Sequence, residues 1–126
     1  MIQIEKLQKL MKRVEARKGP FTLFAVFMRE DSPGLWDLVI AAPWMDEAGD
    51  LETLREFVNE MSDTFSREEV MSVSRVVPLN RDDAALRDIL REVGTLKKPL
   101  EKQGRDLFGL PVEYALILRA RLPKAA

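Results

Sequence analysis

The chain has 126 residues, 46% hydrophobic and 33% charged, with 6 glycines, 7 prolines, no cysteine and no histidine. That length suits one α+β domain, expected to span 1–126, and a composition near the globular average excludes a disordered or fibrous chain. Net charge is −1, yet residues 30–70 hold 12 acids against Arg55 and Arg67 while the remainder holds 18 bases against 9 acids, so a dipolar molecule is expected.

Without histidine or cysteine, Ser-His-Asp and Cys-His catalysis, disulfides and ordinary zinc sites are excluded. The missing cysteine fits a reducing compartment, and a cytoplasmic protein is expected. The opening MIQIEKLQKLMKRVEARKG interleaves Glu5, Lys6, Lys9 and Lys12 with its apolar residues. It therefore lacks the unbroken apolar block of a signal peptide or a membrane span.

Ile4, Leu7, Leu10, Met11 and Val14 recur at helical spacing, which predicts an amphipathic helix over 2–18 closed by Gly19-Pro20. Its other side carries Lys6, Lys9, Arg13 and Arg17, a face suited to phosphates, to a membrane surface or simply to water. Residues 21–29 (FTLFAVFMR) are apolar on both alternating faces, as in a central strand covered on both sides. EDSPG at 30–34 then carries turn chemistry, so the chain should double back into a second strand over 35–42.

In that second strand Trp36, Leu38, Ile40 and Ala42 alternate to one side, and Pro43 ends the pairing. Trp44 stands just beyond the sheet, where it either closes the core over Phe57 or Met61 or anchors a partner. Trp36 and Trp44 are thus the candidate partner-binding residues. Asp37 is either an acid in a pocket or a residue that is exposed or paired with Arg75 or Arg119.

Leu51, Leu54, Phe57, Val58, Met61 and Phe65 predict a helix over 50–65 with Asp50 as its N-cap. Asp46, Glu47, Asp50 and Glu52 are weak candidates for a hard cation. The EF-hand pattern fails, because Phe57 stands where a bidentate glutamate belongs. Acids also gather at helix N-termini, where each gains about 0.3–1 kcal/mol from the macrodipole.

Ser66 and Glu69 have capping-box spacing, which predicts a helical turn before a third strand over 72–79, with Pro78 marking its end or an edge. Asn80 and Asp82 introduce a helix whose dry side is Leu86, Ile89, Leu90 and Val93, ended by Gly94. Pro99 suits the first position of a short helix within 95–110. GRDLFG at 104–109 has P-loop glycine separation but has Leu110 and Pro111 where lysine and a hydroxyl are needed. Lys97, Lys98, Lys102 and Arg105, near Phe108, are candidate phosphate or nucleic-acid contacts, although Glu101 and Asp106 interrupt them. Residues 111–122 read as a last strand with Val112, Tyr114, Leu116, Leu118 and Ala120 on one face.

The order α-β-β-α-β-α-β predicts a largely antiparallel four-stranded sheet with helices packed on it. The function expected first is a non-enzymatic protein-interaction module that self-associates as a homodimer and needs no cofactor. One alternative is a nucleic-acid or phosphate binder using the basic N-terminal helix and residues 97–105. Another is a small ligand binder or carboxylate-based, magnesium-dependent enzyme using Asp37 and the acids near Asp46.

Overall fold

A strand that is apolar on both faces needs cover on both, and Leu23–Arg29 (β1) receives it. The computed structural model describes residues 2–48 and 51–122, with backbone only at 47 and 48. Its elements are α1 (Ile4–Lys18), β1, β2 (Trp36–Ala41), α2 (Pro43–Ala48), α3 (Leu51–Thr64), α4 (Arg67–Ser72), β3 (Val73–Pro78), α5 (Ala84–Val93), β4 (Leu100–Gln103) and β5 (Val112–Ala120). The strands lie in the order β3-β2-β1-β5-β4, so β1 is the middle one.

Helices α1 and α3 cover one face, with Leu7, Leu10, Val14, Phe57 and Met61 packed on Phe24, Val26, Leu38 and Ile40. Phe21 joins them through edge-on ring contacts with Phe24 (5.1 Å) and Phe57 (6.2 Å). Such pairs contribute about 0.5–1.5 kcal/mol beyond the area they bury. The other face packs Leu23, Ala25, Phe27 and Val39 against Leu86, Ile89 and Leu90 of α5 and against Phe108.

The α+β class holds, but the sheet has five strands and is mixed, where four largely antiparallel strands were expected. The helical segments between β2 and β3 carry the chain back to the end of the sheet where β2 began. β3 therefore runs parallel to β2. The fifth strand is β4, which occupies the place expected for a helix at Pro99: Leu100–Gln103 pairs antiparallel with β5 from Ile117 to Tyr114.

The last strand also departs from simple alternation. Its pairing with β1 shifts register twice, between Phe24 and Ala25 and between Met28 and Arg29. Each extra residue reverses which side the following ones face. Tyr114, Leu116 and Leu118 point toward α1 as expected, whereas Val112 and Ala120 join Ala115 and Ile117 on the α5 side.

Local signals at the element ends are read more simply. Asp83, rather than Asn80 or Asp82, caps α5, accepting from the Ala85 N–H at 2.9 Å, while Asn80 accepts from the Asp82 N–H in the preceding turn. Asp50, the expected cap of the 50–65 helix, lies outside the described residues. At α4 the capping box forms as expected: the Ser66 hydroxyl accepts from the Glu69 N–H, and the Glu69 carboxylate accepts from the Ser66 N–H at 2.7 Å.

That same carboxylate takes Lys6 Nζ at 2.6 Å, fastening α4 to α1. The Lys6 ammonium, then the Ser66 N–H, hold the Glu69 carboxyl down from 4.5 to about 2. Because the folded value is the lower one, its stabilisation is complete above pH 4.5 and is lost as pH falls toward 2. The urea midpoint should decline through this window, and less steeply in Glu69→Gln. Identical declines in the two proteins would show that this carboxylate does not couple folding to pH.

Candidate functional site

The second strand is apolar except at Asp37, and the structure buries that residue to 4% exposure, the only charged residue among the described residues to be so covered. A buried carboxylate requires cationic partners and hydrogen bonds. Its Oδ2 accepts from Arg75 Nε at 3.0 Å, and Arg29 Nε lies 3.3 Å away. Parallel pairing of β2 with β3 sets Arg75 opposite Asp37, and antiparallel pairing with β1 sets Phe27 opposite it, with Arg29 two residues further along. Three neighbouring strands thus each supply one charge to the α5 side of the sheet.

The cluster has more positive than negative charge at its centre. Arg29 also donates from Nη2 to Ser32 Oγ at 3.2 Å and lies 3.7 Å from Asp31, whose carboxylate is largely in solvent. Arg75 meets Asp37 through Nε, and its side chain is 55% exposed.

Beside these charges a pocket of about 180 Å³ opens between the sheet and α5. Phe27, Val39, Val77, Ile89 and Leu110 supply apolar wall, and Ala85 borders it from the first turn of α5. The wall that includes Leu110 and Pro111 follows directly from a tight turn at Leu107–Gly109. In that turn Asp106 (φ 48°) and Phe108 (φ 58°) hold left-handed backbone that costs non-glycine residues about 1–3 kcal/mol each. Stacking of Phe108 on Phe27 at 5.7 Å and a hydrogen bond from the Asp106 N–H to Glu30 hold the turn in place.

Of the partners expected for Asp37, Arg75 is present and Arg119 is not. Arg119 instead makes a two-point pair with Glu15, at 2.7 and 3.1 Å. Arg29 gives no signal in the sequence because it is the last residue of an apolar strand, a place where a cation is ordinarily solvated.

The tryptophans lie elsewhere. Trp36 is 7% exposed and meets Tyr114 edge-on at 5.5 Å, on the α1 side of the sheet. Burial, then the Glu101 carboxylate, push the Tyr114 hydroxyl above its usual 10, so it stays protonated at neutral pH. Trp44, in α2, is half-buried against Phe21 and donates from Nε1 to the Gly19 carbonyl at 3.1 Å. Gly19 has φ 115°, and a Cβ there would stand 3.5 Å from the indole.

The basic face of α1 is largely spent within the fold: Lys6 holds Glu69, Arg13 and Arg17 hold Glu60, and Lys18 holds Glu56. Lys9 is exposed. Further along, Lys97, Lys98 and Arg105 are exposed, whereas Lys102 pairs with Glu92 at 2.7 Å and lies over the inward-facing Phe108 ring. The candidate metal acids are not gathered into a site among the described residues. Asp46 is half-buried in α2, while the Glu47 side chain and Asp50 lie outside what the structure describes. Among the described residues, no helix is long and apolar enough to cross a membrane.

Replacing Asp37 by asparagine keeps the shape and removes the charge that holds two guanidiniums together. Breaking a buried pair costs roughly 3–5 kcal/mol, and the half-solvated Arg75 places Asp37→Asn near the low end. Urea denaturation measures this directly; a loss under about 1 kcal/mol would place the cluster with surface ion pairs.

No family model, no curated protein and no solved structure matches this chain, so the geometry of the site carries its functional reading.

Proposed function

We propose that this chain is a non-enzymatic binding module that holds a small ligand in the pocket between the sheet and α5. The observation that carries the reading is the joining of a buried three-charge cluster to an otherwise apolar pocket, the combination by which ligand sites fix orientation and supply affinity. Binding suits the geometry better than acid–base catalysis. The Asp37 oxygen that meets both arginines holds the two guanidiniums in place at the edge of the pocket, a positioning role. Cytoplasmic location belongs to the same proposal, on the strength of the missing cysteine.

The test uses three single-ring probes of different charge, benzoate, benzamide and benzylamine, followed by amide chemical shifts in NMR. At least one should give saturable shifts at Val77, Ile89 and Leu110, and Ala85→Leu, which narrows the pocket, should weaken them. Failure of all three probes to move these amides would sink the reading.

A second reading, self-association, draws on a separate observation: Met71 at the end of α4 is 70% exposed, directly before the outermost strand β3. Strand addition is a poor way to use this edge. Pro78 has no N–H, and the pairing of β3 with β2 is irregular where Ser74 is passed over. A contact between two copies would instead pack Met71 side chains across a two-fold axis. Sedimentation at rising concentration should then show a dimer that Met71→Glu disperses; a wild-type monomer up to about 1 mM would exclude this contact.

A further inference from the structure

We infer that the ligand of this pocket is a small carboxylate with a compact apolar body, such as a short aliphatic or single-ring acid. The inference rests on the ligand-binding reading above and adds the chemistry of the ligand.

Charge is the first ground. One guanidinium would neutralise Asp37, and here there are two, with the further acid, Asp31, out in solvent beyond Arg29. A mostly apolar pocket bordered by the surplus cation favours an anion and disfavours a cation.

Donor geometry is the second. Each guanidinium offers five N–H donors in a planar fork. Arg29 turns its terminal nitrogens toward Ser32 and Asp31, whereas Arg75 meets Asp37 through Nε. Its Nη pair meets no protein acceptor among the described residues and is the edge that binds a carboxylate at two points. Asp37 holds Nε in place, so the fork is oriented before a ligand arrives.

Size and wall chemistry are the third. A pocket of about 180 Å³ lies below the roughly 300–1,000 Å³ of sites that take drug-sized molecules. Phe27, Val77 and Ile89 offer no hydrogen bonds to a sugar or a polyphosphate, and they suit hydrocarbon. A bare inorganic anion would leave that wall unused.

The experiment compares benzoate, benzamide and inorganic phosphate on the wild-type protein and on Arg75→Gln, again by amide shifts. Arg75 is over half exposed, so the variant should fold, and an unchanged spectrum away from β3 checks that it does. Benzoate should bind at least about tenfold more tightly than benzamide, the uncharged near-isostere, and phosphate should not displace it. Arg75→Gln should weaken benzoate far more than benzamide and so remove that preference. Equal binding of benzoate and benzamide would overturn the carboxylate assignment and leave a purely apolar pocket. Phosphate competing on equal terms would overturn the apolar body, and an unchanged preference in Arg75→Gln would overturn the role of that fork. No saturable shift with either ring up to about 10 mM would remove the ligand-binding reading itself.

Discussion

The structure depends on one strand that has no polar side. Leu23, Phe24 and Ala25 are fully buried and Val26 and Phe27 almost so; a strand like this can exist only with partners on both edges and cover on both faces. Its edges are taken by β2 and β5, which are themselves largely buried for the same reason. The cover is divided between α1 with α3 on one side and α5 with the Phe108 turn on the other. Two irregularities in β5 let this strand serve both faces unevenly, placing Leu118 and Arg119 toward α1 and Ala120 toward α5.

Charge is arranged around that hydrophobic frame. In the linear chain the acids of 30–70 stand against a basic remainder, but folding lays α1 along α3 and α4 so that Lys6, Arg13, Arg17 and Lys18 meet Glu69, Glu60 and Glu56. Much of the expected dipole is thereby cancelled inside the molecule. These pairs are partly solvated and stabilise little individually, about 0–1 kcal/mol for an exposed pair. Their effect is on alignment. The less exposed pairs, Glu15 with Arg119 and Asp37 with its two arginines, fix which helix end meets which strand.

Two costs in the structure fall beside the same pocket. One is the burial of Asp37, and the other is the left-handed backbone at Asp106 and Phe108. Neither is needed to bury β1, since an apolar residue at 37 and a glycine at 106 would satisfy the sheet and the turn at lower cost. Strained turns and buried charges gather at binding sites because affinity there requires groups held in place before the ligand comes.

Single-residue chemistry and local periodicity were enough for the sequence to determine α1, the hairpin of β1 and β2, the α4 capping box and the central position of β1. A capping box spans four residues and the hairpin connection six, residues 30–35, so their energetics are complete within the segment. For Asp37 the sequence offered an exposed position or a pairing with Arg75 or Arg119, and the fold selected Arg75. What the tertiary structure decided was every feature that depends on a partner distant in the chain. The parallel course of β3 follows from the path of the intervening helices, and β4 exists only because β5 offers it a ladder. The shifts in β5 follow from pairing with β1, and the pocket needs β1, β2, β3, α5 and residues 110–112 brought together. Arg29 became a site residue for that reason: on the chain it only ends a strand, and in the fold it lies 3.3 Å from a carboxylate whose second arginine is 46 residues further along.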